Sequence, residues 1–320
     1  MNNKIIVIVP VFNGEKYIKK CINSIIEQYY DNWELYVIDD GSSDGTFEII
    51  KEFEKDKRIH AFKKNNEGAG KARNFGLSLI KELNGYIVFI DSDDYVDPAY
   101  FQLLSSHNED VVFVDVEQRD MNDKRIKREI ISRYRSHNKN DVLRKQMTGY
   151  IPWGGVRKAA KASLVREHNI CFSDNRVGEE ALYSFDVLLY AKTIGFIDSC
   201  VYFYIQRGDS LSSSFNENPW LPVADNLKAH LKKNELYGIY ANTINAFYVT
   251  ACTIAVKRVS RFNYKVFKEK VFCLKNNLNE KIDKEYTIDK ASLNWKSKIV
   301  YSLVKHNFFR IAFLLAKLSG

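Results

Sequence analysis

Three carboxylates stand within four residues at Asp91, Asp93 and Asp94, with Ser92 between the first two. They directly follow the apolar run Tyr86 to Ile90, which has the composition of a buried strand. Carboxylates this close repel one another, so at a strand end they favour a compensating cation. Hard oxygen ligands suit Mg²⁺ or Mn²⁺. Such an ion typically keeps bound waters and takes phosphate oxygens as further ligands. The alternative is a solvated acidic turn.

Two earlier turns also follow predicted strands. Pro10 to Asn13 ends the first strand and includes Phe12, and Asp39 to Thr46 follows the second and includes Asp40. The second turn is rich in Asp, Gly and Ser, which are turn formers, so alone it also fits a β-turn and a helix N-cap. Because both turns follow strands, we expect them at the same sheet edge as the three aspartates.

Glu179 and Glu180 stand at the start of a later helical run. A carboxylate at a helix start is often a favourable partner of the helix dipole, and that alternative stays open for Glu179. Glu180 is the candidate general base, provided that the fold brings it opposite the aspartates.

The apolar spacing in residues 1–116 predicts an α/β fold, doubly wound around a mostly parallel sheet. Short β-rich runs alternate with helical periods such as Ile18, Cys21, Ile22 and Ile25. In such folds ligands bind at the carboxyl ends of the strands. We expect strands at Lys4–Val9, Glu34–Ile38, Ile59–Phe62, Tyr86–Ile90 and Asp110–Val116.

The later parts of the chain have a different pattern. Residues 119–145 have mixed charge and few large apolar side chains, which indicates a long excursion or a mobile flap. Residues 180–195 and 222–320 are mainly helical in pattern.

The positive charge is concentrated near the end of the 320-residue chain. Residues 221–320 have a net charge of +11, whereas residues 1–220 have −3. Residues 290–320 contain no acid and alternate aromatic and aliphatic residues with lysine and arginine, as in a helix that lies in a lipid headgroup layer. The alternative is a helical pair that closes the core with its lysines in solvent. We expect contact with an anionic membrane surface.

We expect the uncharged stretches to fall well short of the roughly 20 apolar residues of a membrane span. The apolar start contains Pro10 and is followed by no small-residue cleavage site, which argues against a secretory signal. We therefore expect a cytoplasmic chain that binds peripherally to the inner face of the membrane.

Five motifs occur in the order and spacing of bacterial family 2 glycosyltransferases, which the chain resembles over roughly residues 4–215. They are Pro10–Asn13, Asp39–Thr46, Asn66–Gly68 with Ala72–Asn74, Asp91–Asp94 and Gly178–Glu180. The resemblance implies an inverting, metal-dependent enzyme of the GT-A fold. It implies a glycosyltransferase domain at 1–215, with a nucleotide-sugar half (1–116) and an acceptor half (117–215). A basic helical region at 216–320 would follow.

The resemblance also implies roles for individual residues. Phe12, with Pro10, would contact the nucleotide base, and Asp40 would hydrogen-bond it. Asp91 and Asp93 would be the D-x-D aspartates that hold Mn²⁺ or Mg²⁺, with Asp93 the more direct ligand. The remaining expected contacts with the nucleotide sugar are Arg73, Asn74, Ser92, Asp94 near the sugar or ribose, and Arg207 at the leaving diphosphate.

On the acceptor side, the resemblance implies Trp153 as a contact. Relatives carry an aspartate base where this chain has Glu180, so the base is Glu180 or its neighbour Glu179. The expected donor is a UDP-hexose or UDP-N-acetylhexosamine. The expected acceptor is a lipid-linked glycan in capsule, exopolysaccharide or cell-wall synthesis.

Three other functions are alternatives to sugar transfer. A nucleotidyltransferase that makes the activated sugar would need a glycine-rich, basic phosphate loop after the first strand, and Asn13-Gly14-Glu15 is a poor one. A nucleic-acid binder would use the basic tail, but its charges mingle with long aliphatics and no binding motif is visible, so no nucleic-acid partner is expected. A catalytically idle nucleotide-sugar binder would not need all of the acids.

Overall fold

The structure is a computed structural model that describes residues 3–173, 178–207 and 218–318. The described residues fall into two compact units. One lies within Met1–Lys139 and Trp153–Ser210, and the other within Asn140–Pro152 and Leu211–Gly320. Residues 140–152, which the sequence analysis placed in the acceptor half, thus pack with the helical unit.

A mixed sheet forms the centre of the first unit. Its order is β3-β2-β1-β4-β8-β6-β9-β5, with β7 beside β6. The neighbours β3, β2, β1 and β4 are parallel, whereas β8 is antiparallel to both β4 and β6. The strands are β1 Lys4–Val11, β2 Trp33–Asp39, β3 Ile59–Lys63, β4 Gly85–Phe89, β5 Tyr95–Val96, β6 Val111–Arg119, β7 Arg125–Glu129, β8 Lys158–Lys161 and β9 Ile194–Ile205.

The helices of the first unit bury their apolar faces against this sheet. Ile18, Cys21, Ile22 and Ile25 of the first helix are fully buried in the core, as their spacing predicts. Each such aliphatic side chain stabilises the fold by about 1.5–3 kcal/mol. The helices are α1 Ile18–Ile26, α2 Thr46–Phe53, α3 Ala69–Leu79, α4 Tyr100–Ser105, α6 Ala162–Glu167 and α7 Glu180–Tyr190.

The parallel strands β1 to β4 and the strand β6 were predicted from the sequence, whereas four strands were not: β5, β7, β8 and β9. Residues 119–145 are more regular than a flap because they contain β7 and the start of helix α5 (Lys139–Met147). The run 180–195 is helical only to Tyr190, since β9 begins at Ile194.

The second unit is helical. Helix α9 is its core and contacts α8, α10, α11 and α12. Buried Asn245 of α9 donates to the carbonyls of Asp283, Tyr286 and Thr287 and accepts from the Asp283 N–H, so it fixes the connection after α10. The remaining helices are α8 Leu221–Lys233, α9 Tyr237–Val259, α10 Tyr264–Lys281, α11 Trp295–Lys305 and α12 Phe309–Leu318.

Helix α9 corrects one expectation about uncharged stretches. Residues 237–256 contain no charged side chain. Among the described residues this helix is the one long and apolar enough to cross a membrane, with a mean hydropathy of 1.3 over its best window. However, 78% of that window is buried inside the structure, as in a core helix.

Candidate active site

Helix α3 carries Arg73, which joins carboxylates from two distant segments. Its guanidinium is buried; Nη2 donates to Asp91 Oδ1 at 2.7 Å and Nη1 donates to Glu179 Oε1 at 3.0 Å. Nη2 also lies 3.7 Å from Glu180 Oε1. Burial alone would lower the pKa of Arg73, but the charges of Asp91, Glu180 and Glu179 more than offset it and raise that pKa. One buried cation therefore gathers the first D-x-D aspartate and both candidate bases.

Asp40 lies at the N-terminal end of the same helix and is also buried. Its carboxylate accepts hydrogen bonds from the N–H groups of Gly68 (2.7 Å) and Glu67 (3.1 Å) and from Lys64 Nζ (2.9 Å). Gly68 is the N-cap of α3, so Asp40 binds backbone donors at a helix start. A hydrogen bond to a nucleotide base would have to share these oxygens.

Asp93 pairs with the arginine that the sequence analysis placed at the leaving group. Arg207 Nη2 donates to Asp93 Oδ2 at 2.7 Å, and the guanidinium lies over the ring of Tyr17. Burial and the charge of Asp91 raise the pKa of Asp93, and Arg207 opposes this shift. The family resemblance extends more loosely to the stretch Tyr202 to Ser212, which contains Arg207 and of which residues 208–212 lie outside the described residues.

Asp94 is held inside the protein through Tyr202 of β9. The Tyr202 hydroxyl donates to Asp94 Oδ2 at 2.7 Å and accepts from the Asp91 N–H at 3.0 Å, and the Ile205 N–H donates to Asp94 Oδ1 at 2.7 Å. Burial and the charges of Asp91 and Asp93 raise the pKa of Asp94 well above its usual value. The expected contact with a sugar would require Asp94 to leave these partners.

The two candidate bases differ in their surroundings. Glu180 begins helix α7, and its Oε1 accepts from the Gly155 N–H at 2.9 Å. Glu179 is committed to the ion pair with Arg73. Burial and the adjacent charge of Glu180 raise the pKa of Glu179, and Arg73 opposes this shift.

The turn before β8 connects Trp153 to this site. Trp153 is 9% exposed, so it offers little surface to an acceptor in this conformation. Its carbonyl and that of Gly154 accept hydrogen bonds from Lys158 Nζ at 3.4 and 3.1 Å. Lys158 is fully buried; burial lowers its pKa to about 7, with Glu180 opposing and Arg157 adding to the shift.

The turns after β1 and β2 bind each other, as expected for neighbouring parallel strands. The Asn13 N–H donates to Ser42 Oγ, and Asn13 Oδ1 accepts from the Ser43 N–H, both at 2.9 Å. Phe12, in the first of these turns, is 52% exposed and available to stack on a planar ligand, whereas Pro10 is buried within β1.

Asn74 and Ser92 have more local surroundings. The Asn74 side chain donates to the Phe172 carbonyl at 3.0 Å and accepts from the Phe172 N–H at 2.8 Å. It therefore holds α3 against the segment that leads to Glu179. Ser92 is half-buried near Gly14.

Gly70 lies in the first turn of α3 and touches the same segment. A Cβ at this position would lie 2.8 Å from the Ser173 carbonyl oxygen and 3.3 Å from the side chain of Glu179. The helix can approach the glutamates this closely because residue 70 has no side chain.

The donor chemistry at Asp91 and Asp93 fits a divalent cation that is bound together with a phosphate. In the part of the chain that the structure describes, no group of three or more His, Cys, Asp or Glu side chains is arranged to hold a metal. Mg²⁺ and Mn²⁺ commonly use one or two carboxylates plus waters and substrate phosphates, so two aspartates are sufficient protein ligands. Burial, and after it the charge of Asp91, raise the pKa of Asp93, and a bound cation would oppose that shift.

Comparison with known proteins identifies the family of this domain. Residues 6–162 match Glycosyl transferase family 2. The chain carries a family 2 glycosyltransferase domain. The match favours sugar transfer over the nucleotidyl-transfer and nucleic-acid alternatives.

Two curated relatives resemble the family 2 domain to different extents. It is 46% identical over 105 residues to "Glycosyltransferase GlyA" of Streptococcus pneumoniae, which covers 32% of this chain but only 15% of that protein. This chain as a whole is 24% identical over 260 residues to "Putative glycosyltransferase EpsH" of Bacillus subtilis, a match that covers 78% of this chain and 75% of that protein.

A solved structure confirms the fold that the resemblance implied. The Staphylococcus aureus protein TarS (residues 1–349), in a crystal structure with UDP-GlcNAc, matches with a TM-score of 0.63 and 18% identity. The match covers 98% of this chain and 90% of that one. The family 2 domain thus has the GT-A fold, and a helical region follows it.

Sequence reasoning missed three residues that organise the site: Tyr202, Lys64 and Lys158. Tyr202 lies in the continuous β-branched and aromatic run of residues 201–205 in β9, which was readable as a strand. Lys64 lies two positions after the third predicted strand, Ile59–Phe62, and its contact with Asp40 comes from the fold. Lys158 carried no signal, because a lysine in the sequence Lys-Ala-Ala-Lys is normally exposed.

Proposed function

We propose that this chain is an inverting glycosyltransferase that moves one sugar from a nucleoside-diphosphate donor to a hydroxyl group of a glycan acceptor. The observation that supports it best is the convergence on Arg73. This guanidinium contacts Asp91 on the donor side and Glu179 at the expected base position, and it lies 3.7 Å from Glu180. Donor-binding and proton-accepting carboxylates thus meet at one place.

In the proposed reaction Glu180 takes the proton from the acceptor hydroxyl. The oxygen then attacks the anomeric carbon, the bond from that carbon to the phosphate oxygen breaks, and the nucleoside diphosphate leaves from the opposite face. A positioned base typically contributes 10²- to 10⁴-fold to the rate. We favour Glu180 over Glu179 because Glu179 is bonded to Arg73, whereas Glu180 is oriented by a backbone N–H.

The second requirement of the reaction is to stabilise the negative charge that develops on the leaving diphosphate. Mn²⁺ or Mg²⁺, held by Asp93 and Asp91, would stabilise that charge when bound. Arg207 would supply a guanidinium to the same phosphates, since it already pairs with Asp93. Phe12 would stack on the base, which fits its exposure.

The donor class is proposed from the neighbours and is directly testable. Purified chain is incubated with Mn²⁺ and a panel of UDP-glucose, UDP-galactose, UDP-N-acetylglucosamine and GDP-mannose, and release of nucleoside diphosphate is measured. We expect a UDP-sugar to give the highest rate. Glu180→Gln should reduce that rate by about 10²- to 10⁴-fold while UDP affinity, measured by calorimetry, stays within about twofold.

Two outcomes would contradict the proposal. Failure of every nucleotide and nucleotide sugar to bind would reject the donor site. Full activity of Glu180→Gln would reject the base. The matched Glu179→Gln variant tests the alternative base in the same assay.

We further propose that the acceptor is lipid-linked and that α11 and α12 bind the anionic, cytoplasmic face of the membrane where such an acceptor lies. These two helices expose a row of apolar side chains beside basic ones. The exposed apolar residues are Trp295, Ile299, Phe308, Ile311, Leu314, Leu315 and Leu318. The neighbouring exposed basic residues are Lys296, Lys298, Lys305, Arg310 and Lys317.

Vesicle sedimentation of the full chain tests the membrane proposal. We expect binding to phosphatidylcholine vesicles that contain phosphatidylglycerol, release by high salt, and little binding to phosphatidylcholine alone. Leu314→Ser with Leu318→Ser should weaken binding, whereas Leu83→Ser, an exposed leucine of the first unit, should not. Equal binding of both variants would contradict the proposed surface.

A further inference from the structure

Lys158 has a buried side-chain amino group whose hydrogen-bond partners are all uncharged. Its side chain lies in β8 and is 2% exposed. Nζ lies within hydrogen-bond distance of three oxygen atoms: the carbonyls of Trp153 (3.4 Å) and Gly154 (3.1 Å) and Ser184 Oγ (2.9 Å). A lysine is rarely buried without an ion pair, because desolvation of its charge costs stability.

Its partners lie on the two segments that form the hydrogen bond to Glu180. Trp153 and Gly154 directly precede Gly155, whose N–H donates to Glu180 Oε1 at 2.9 Å. Ser184 lies one helical turn after Glu180 in α7. The amino group of Lys158 therefore connects the donor segment of that hydrogen bond to the helix that carries its acceptor.

The turn needs such a tie because its backbone is unusual. Gly154 has a φ of +58°, a left-handed conformation that glycine adopts readily. The same freedom gives the turn alternative conformations, and the hydrogen bonds from Lys158 to residues 153 and 154 select one of them.

We propose that Lys158 is a positioning residue for Glu180: it holds the 153–155 turn against α7 so that the Gly155 N–H orients the carboxylate. This inference rests on the proposed function, in which Glu180 is the base. Lys158 itself touches neither donor nor acceptor in this proposal.

A double-mutant cycle of Lys158→Met and Glu180→Gln tests it, using the nucleotide sugar that gives the highest rate in the screen above. A misplaced catalytic group commonly costs up to about 10²-fold, so we expect Lys158→Met to lower kcat about 10- to 100-fold with donor KM within about twofold. In the Glu180→Gln background the same substitution should change kcat by less than about twofold, because the carboxylate that it positions is already absent.

Two variants make the cycle interpretable. Lys161→Met removes a lysine from the same strand that pairs with Asp110, and it should leave kcat unchanged. Ser184→Ala removes one of the three acceptors with little change in volume, and it should lower kcat less than Lys158→Met does. It also keeps the proposal testable if Lys158→Met fails to fold, which circular dichroism would show.

The failures are distinguishable. If Lys158→Met and Glu180→Gln reduce kcat independently, or if Lys158→Met and Ser184→Ala alter only stability, Lys158 has a structural role and the inference is wrong. If Glu180→Gln is fully active, the base assignment in the proposed function is wrong instead.

Discussion

The two units use positive charge in opposite ways. In the first unit, Arg73 is buried and bonds to two carboxylates, so its charge acts within the protein. In the second unit, Lys298 and Arg310 are exposed beside exposed apolar side chains, so their charges act toward solvent or a surface. Basic residues thus hold carboxylates in position in the first unit, whereas in the second unit they face outward and can attract an anionic surface.

The difference has a measurable physical basis. Charges in solvent are screened within about 8 Å at physiological ionic strength, whereas buried pairs are screened much less. Salt should therefore separate the two uses: it should weaken membrane binding and leave the Arg73 cluster intact.

The largest effect should come from Asp93. Asp93→Asn removes a charge that pairs with Arg207 and that a metal would share, so we expect no measurable sugar transfer. Asp198→Asn, at an exposed aspartate that pairs with Arg135, should keep full activity. Nucleoside diphosphate release measures both, and activity in Asp93→Asn would show that the buried charge is dispensable.

Removing a buried cation should cost far more stability than removing an exposed one. Arg73→Met leaves the charges of Asp91 and Glu179 without their shared partner, so we expect the free energy of unfolding to fall by about 3–5 kcal/mol. Arg310→Met should change it by less than about 1 kcal/mol. Urea unfolding measures both, and similar losses would remove the distinction between the two units.

Lys158 should make the first unit's stability depend on pH. Its pKa is lowered to about 7 by burial, so between that value and its usual 10.5 the unfolded chain binds a proton that the folded protein does not. Its contribution to stability therefore rises with pH across this window, by roughly 1 kcal/mol per pH unit. Urea unfolding at pH 7.5, 8.5 and 9.5 should show the free energy of unfolding of the wild type increasing relative to that of Lys158→Met. A constant difference would mean that its hydrogen bonds keep the ammonium charged.

The smallest effects should come from single surface lysines. Lys298→Gln or Lys305→Gln should weaken binding to anionic vesicles by about 1 kcal/mol at low salt. Both should leave thermal stability and nucleotide affinity unchanged, because these side chains are exposed. A loss of nucleotide affinity would show that the surface charges also act on the site.

The sequence predicted those parts of the molecule in which local pattern decides structure. The core face of α1 and the strands β1 to β4 follow directly from apolar spacing. β8 was missed because Lys-Ala-Ala-Lys has neither strand composition nor alternation. Its assignment depends on pairing with β4 and β6, which only the tertiary structure supplies.

The sequence predicted which residues form the candidate site better than it predicted the contacts between them. The motifs named Asp91, Glu179 and Arg73 separately, but their ion pairs join residues 18 and 106 positions apart in the sequence. The divalent cation expected beside the close carboxylates stays a prediction, and in the structure Asp91 pairs with Arg73 and Asp93 with Arg207. Sequence pattern cannot show which cation arrives, because that depends on long-range packing.

The contacts between helix α3 and the glutamates depend on the absence of a side chain at Gly70. An added methyl group there would act as a wedge, since it would collide with the backbone at Ser173 and press on Glu179. Helix α3 would move away from this segment, and the guanidinium of Arg73 would lose its hydrogen bond to Glu179. A single added carbon atom would thus separate the aspartates on the donor side from the glutamates on the acceptor side.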